Sequence, residues 1–174
     1  MPSDEQQSLQ AIAAEIIAMS ERDQKMLKND QWDSSIGAQH TRRMQEIVEE
    51  IGWPTIPKVG EHASYMAWLL VQHAYQERLF QKQCLELMKT LPADEVKPSN
   101  IAYLEDRVRV SDGRPQLYGT QFHTDEHGRF GPFTIEDPEN VDQRRASVGL
   151  GTLAEYTQRI EQYYQPIPKQ SDQS

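Results

Sequence analysis

Cysteine is almost absent: Cys84 stands alone in 174 residues, which excludes an intramolecular disulfide and any multi-cysteine zinc site. Long apolar runs are missing too. The longest falls far short of the roughly 20 residues that a membrane helix needs, and the opening MPSDEQQS lacks the basic region of an export signal. Neither insertion nor export is expected, and the expected location is cytoplasmic. Positive charge is scarce, with 18 Lys and Arg against 27 Asp and Glu, a net charge of -9 and a pI near 5.0. Phosphate backbones and anionic membranes are bound by clustered Lys and Arg, so neither nucleic acid nor membrane is an expected partner.

What remains is a chain of 20.1 kDa, long enough to bury one sizeable core without staples. The expected fold is mainly α (α+β), an irregular helical bundle with one small antiparallel β-hairpin. It forms a single domain over 1–164, with a disordered tail at 165–174. Leu9, Ile12, Ile16 and Met19 recur at helical spacing and predict a helix over 4–28. NDQWDSSIGAQ, 29–39, mixes turn formers and reads as a loop. Met44, Ile47, Val48 and Ile51 form the stripe of a second helix over 40–51, stopped by Gly52. GWPTIPKVG, with two prolines and two glycines, reads as a stiff, non-helical crossing that lays Trp53 and Val59 on the core.

YMAWLLVQHAYQERLFQ, starting at Tyr65, is the organising stretch. Its apolar run predicts a central helix over 61–75, and a helical pattern resumes through Leu79, Cys84 and Met88 until Pro92. Ile101, Leu104 and Val108 predict a helix over 100–110 capped by Ser99 or Asn100, with a strand as the competing reading. QLYGTQFHT and FGPFTI read as two strands of a hairpin near 115–135. A further helix opens at Asp137-Pro138 and ends at Gly149, and Thr152 to Glu155 spells the capping box of a last one.

Gln72 and His73 interrupt the greasiest segment, and burying an amide and an imidazole costs a few kcal/mol unless each finds partners. His73 fits a general base or a ligand-binding imidazole, or else a core histidine satisfied by the fold. His62 lies on the same face but about 16 Å along the helix, too far to share a metal, and Cys84 reads as core. Asp106 and Arg107 point about 100° apart on one helix. Asp106 could therefore orient His73 while Arg107 holds a ligand anion, the alternative being surface ion pairs. On a QLYGTQ strand, Gln116, Tyr118 and Thr120 would share one face, with Tyr118 as an acid or a structural anchor. HTDEH offers His123, Asp125 and His127 to a metal, although such a run at a turn is usually solvated, so no metal and no cofactor are expected. Arg144 and Arg145 before VGLGT suggest an anion site that the capping box explains more simply.

GWP with VG, AWLLVQHA, FQ, AYLEDRV, QLYGTQ and RRASVGL before EYTQRI, from about Thr41 to Ile160, together resemble a bacterial family of small proteins known as a domain of unknown function. The resemblance implies no activity. It groups Gln72, His73, Gln81, Asp106, Arg107, Gln116, Tyr118, Thr120, Gln121 and Arg145 inside shared motifs. It also implies an acidic residue after QHA, where this chain has Tyr75, and it leaves His123 and His127 outside the pattern.

Two functions of different class are expected from these residues. One is a small-molecule enzyme or binder, acting by hydrolysis or group transfer on a polar or anionic metabolite. In it His73, Asp106 and Tyr118 are catalytic, and Gln72, Gln81, Arg107, Gln116, Thr120, Gln121 and Arg145 hold the ligand. The other is a non-catalytic partner-binding or immunity-type protein whose polar cluster only fixes the fold. It would show an exposed patch and no cavity beside His73.

Overall fold

A computed structural model describes residues 3–163; the tail read as disordered lies outside them. The protein is mainly helical with one small hairpin. The first helix, α1 (Asp4–Lys28), opens on a capping box between Ser3 and Gln6 and buries Ile12, Ile16 and Met19. The second, α2 (Ser34–Ile51), begins earlier than the turn-rich sequence suggests. Asp33 is not a loop residue but the N-cap, its carboxylate accepting from the Ser35 amide at 2.8 Å. Gly37 sits inside this helix because a Cβ there would come within 2.6 Å of the Trp32 ring, which lies against the helix.

The proline-rich crossing also departs from expectation. Ile56–Val59 form a single helical turn, α3, with Pro57 in its first turn, where no backbone donor is needed. Trp53 is buried as expected, and Val59 packs at the edge of the core. Next comes α4 (Glu61–His73), which packs against α1, α2, α3 and two later helices, α5 (Arg78–Lys89) and α6 (Pro98–Ser111). Ala67, Leu70 and Val71 are buried at its centre, each large apolar side chain contributing about 1.5–3 kcal/mol. Its last residue is His73, and the chain turns through 74–77 before α5. The α6 segment is a helix, not a strand, and starts on Pro98 after Lys97 rather than on a cap at Ser99 or Asn100.

The hairpin is shorter than the sequence suggests. Its strands are β1 (Phe122–Thr124) and β2 (Phe130–Pro132), antiparallel, with His123 opposite Gly131. The turn between them closes on Asp125, which accepts from the amides of His127 and Arg129 at 2.9 and 2.8 Å. Residues 116–121 are not a strand, so the expected face of Gln116, Tyr118 and Thr120 does not exist. Gln116 makes only an isolated bridge to Ile135. After a 3-10 turn at Pro138–Asn140, α7 (Val141–Ser147) and α8 (Leu153–Tyr163) complete the described chain. Thr152 and Glu155 form the expected capping box, with bonds of 2.9 and 3.3 Å.

Candidate functional site

The reason residues 116–121 leave the sheet is Asp106. Its side chain is fully buried, and the loop wraps its backbone around the carboxylate. Leu117 N and Tyr118 N donate to Oδ1 at 2.7 and 3.0 Å, while Thr120 N and Thr120 Oγ1 donate to Oδ2, both at 2.9 Å. Burial pushes the Asp106 carboxyl up from its usual range, and the amides of Thr120, Tyr118 and Leu117 pull it back. Gly119 at the apex has φ of 67°, and a Cβ there would meet Leu153 at 2.7 Å. Asp106 is thus engaged by the loop and does not orient His73, which corrects the expected pairing. Adjacent positions on α6 diverge by about 100°, so Asp106 faces the loop while Arg107 faces α4.

Most other polar residues singled out from the sequence also satisfy backbone groups. Gln81, buried on α5, donates from Nε2 to the carbonyls of Val71 at 2.9 Å and Gln72 at 3.3 Å, capping the open end of α4. Gln116 donates to the carbonyls of Gln121 and Phe133 and accepts from the Gln121 amide, standing in for a ladder rung. Arg145, 1% exposed, donates to the carbonyls of Gly151 and Tyr118, both at 2.6 Å. Its neighbour Arg144 reaches the carbonyls of Leu117 and Asp137, both at 2.9 Å. The arginine pair therefore binds carbonyl oxygens where the sequence hinted at an anion. Tyr118 is half-buried, its phenol pushed up by burial and by Glu105 and Asp106, and it is not among the residues that line the His73 cavity described next.

His73 lies elsewhere. It lines a cavity of about 170 Å³ between α2 and the turn after α4, with Trp32, Thr41, Arg42, Gln45 and Tyr75. Its Nδ1 is buried and meets no hydrogen-bond partner. Burial, and then the nearby Arg107 guanidinium, push its pKa down to about 4, so the ring is neutral at physiological pH. Arg107 bonds from Nε to Gln72 Oε1 and lies 5.2 Å from the centre of the Tyr75 ring. The amide nitrogen of Gln72, a buried residue, has no partner.

On its other side Arg107 lines a larger cleft of about 520 Å³ bounded by α6, the hairpin and α8, together with Thr120 and Gln121. Gln121 donates from Nε2 to Thr120 Oγ1 at 3.1 Å. His73 and Arg107 thus line different cavities, and neither lining includes Asp106 or Tyr118.

The sequence reading missed a buried hydrogen-bonded pair. His40 Nδ1 and Asp23 Oδ1 lie 2.6 Å apart between α1 and α2, both nine-tenths buried or more. The buried Ser20 hydroxyl nearby on α1 has no partner. The signal was present: Asp23 continues the stripe of Ile12, Ile16 and Met19, and His40 precedes Met44 by one turn, so each helix carries a polar residue on its apolar face. Among the described residues, no group of three or more His, Cys, Asp or Glu could hold a metal ion. Asp125 is taken up by the hairpin turn, and Cys84 is buried with its thiol pushed up to about 12 by desolvation. No described helix is long and apolar enough to cross a membrane.

Fold and cavities together define a mainly helical protein whose buried carboxylate organises a loop beside a central helix. The chain belongs to a family of unknown function, DUF6624, whose model matches residues 7–167. No curated protein and no solved structure matches it.

Proposed function

We propose that this protein binds a small polar molecule in the cavity between α2 and the end of α4, with neutral His73 as the recognising group. The carrying observation is the buried His73 Nδ1, which lacks a partner and belongs to a ring that lines that cavity. Unpaired, this buried nitrogen carries an unsatisfied-group penalty of about 1–3 kcal/mol, which a ligand that draws the ring toward the cavity would remove. At about 170 Å³ the cavity is smaller than the roughly 300–1,000 Å³ of drug-sized sites, so the ligand is a small metabolite. Binding fits better than hydrolysis or group transfer. A general base works best with a pKa near the operating pH, and His73 has been pushed well below it with no carboxylate to orient it. The partner-binding alternative rests on Leu79 and Tyr75, 76% and 56% exposed, but it predicts no cavity beside His73.

A thermal-shift screen of polar metabolites against wild type and His73→Leu tests the proposal. A ligand at 100 times its Kd stabilises by about 2.7 kcal/mol, which raises Tm by roughly 5–10 °C in a chain of this size. Hits that shift wild type and not the variant support the reading. Hits that shift both equally, or a library without hits, overturn it.

A further inference from the structure

Two charges of opposite sign share the His73 cavity without meeting each other. Arg42, on α2, and Glu77, at the start of α5, are the charged groups of its wall among the described residues. Arginines elsewhere are held: Arg43 by Glu15 and Glu46, and Arg144 and Arg145 by carbonyl oxygens. Arg42, by contrast, makes no hydrogen bond, ion pair or ring contact with any described residue. Glu77 takes the N-cap position of α5, yet its carboxylate bonds none of the amides there.

The rest of the wall is neutral. Gln45 and Gln76 bring amides, each with a donor and an acceptor end, while Ala38, Ala74 and Trp32 bring apolar surface. His73 adds no charge, since burial and Arg107 hold its pKa at about 4. Against such a wall a purely anionic ligand loses at Glu77 what it gains at Arg42, and a cation does the reverse. A molecule with an ammonium and a carboxylate gains at both ends, and charge complementarity of this kind is what sets specificity. Size narrows the choice, because about 170 Å³ holds roughly five or six water-sized groups, the bulk of the smallest amino acids. Gly37 shapes the wall: a Cβ there would come within 2.6 Å of the Trp32 ring, which lies across α2.

We infer that the cavity takes a small α-amino acid, bound as the zwitterion with its carboxylate at Arg42, its ammonium at Glu77 and its short side chain against Ala38, Ala74 and Trp32. This rests on the reading of the His73 cavity as a binding site and adds the charge pattern of the ligand.

L-Alanine, lactate, alaninamide and lactamide are nearly identical in shape and carry, at pH 7, both charges, the carboxylate, the ammonium and neither. Affinities are measured by isothermal titration calorimetry. Trp32 is 40% exposed while Trp53 and Trp68 are buried, so tryptophan fluorescence reports on the cavity. Alanine is expected to bind about tenfold or more tighter than each of the other three, with the margin shrinking as salt rises. Arg42→Gln should bring alanine down to the affinity of alaninamide, and Glu77→Gln down to that of lactate. Lactate should bind Glu77→Gln better than it binds wild type, an effect that a structural role of Glu77 does not produce. Equal affinity for the four ligands, or variants that bind alanine like wild type, overturns the inference, and the His73 reading stands if His73→Leu abolishes the binding. Alanine that fails to bind overturns it as well, while the metabolite screen decides the His73 reading separately. A fluorescence change that persists in Trp32→Phe places the amino acid elsewhere and overturns it too.

Discussion

Replacing Asp106 with asparagine keeps the shape of the side chain but takes away its charge and one of its acceptor oxygens. The two oxygens now serve four donors, Leu117 N, Tyr118 N, Thr120 N and Thr120 Oγ1. The asparagine carbonyl can keep one pair, while its NH₂ group confronts the other pair donor to donor. Hydrogen bonds to a charged group are worth about 1.5–3 kcal/mol each, so two lost bonds cost roughly 3–6 kcal/mol. The neutral amide recovers part of this because it is easier to bury, which leaves a net loss of about 2–4 kcal/mol. Against a total stability of about 5–15 kcal/mol that is a large fraction. The assay is urea unfolding followed by circular dichroism, with the midpoint falling and the slope unchanged. Thr120→Val removes only the hydroxyl donor and should cost about 1 kcal/mol, which gives a folded variant if Asp106→Asn does not fold. A change below about 0.5 kcal/mol in Asp106→Asn, the range of an ordinary surface substitution, would refute the claim that this carboxylate organises the loop.

Gln81→Leu leaves the Val71 and Gln72 carbonyls without their buried donor and should lower stability by about 1–3 kcal/mol by denaturant unfolding; faster amide hydrogen exchange confined to the last turn of α4 would locate the effect. His73, with its folded pKa depressed from 6.5 to about 4, favours the neutral ring. The unfolded chain therefore takes up the proton first, and stability should fall as pH drops from about 6.5 towards 4, by at most roughly 3 kcal/mol. NMR titration of the His73 ring checks this directly, and a midpoint near 6.5 would contradict it. For the buried pair, Asp23→Leu should cost about 3–5 kcal/mol because it strands His40, whereas Asp23→Leu combined with His40→Leu should cost less than either single change. Calorimetric Tm values of the three variants decide, and additive losses would count against a coupled pair.

Several elements could be read from residues alone because their signals are local. The stripe from Ile12 to Met19, the stop at Gly52 and the Thr152 to Glu155 capping box lie within a few turns of the groups they govern. Asp33 was legible in type but not in role, since an aspartate before Ser34 and Ser35 suits a turn or an N-cap equally well. Pro57 misled for a related reason: proline forbids the middle of a helix but suits its first turn. The strand expected at QLYGTQ failed because alternation cannot reveal a buried carboxylate ten or more residues upstream that captures the same amides. Of the candidate site, the polar residues were found, yet their roles were not. Asp106, Gln81, Gln116 and Arg145 turned out to satisfy backbone groups, and His73 faces a different cavity from Arg107, Thr120 and Gln121.

Sequence by itself determined that the chain is mainly helical, where several helices begin or end, and some of the polar residues that are buried, because hydrophobic period and capping act between neighbours a turn apart. Only tertiary structure decided what each buried polar group meets. A hydrogen bond is directional and fails within about 1 Å of misplacement, so the partner of Asp106, His73 or Asp23 depends on how distant segments pack, and no local pattern carries that information.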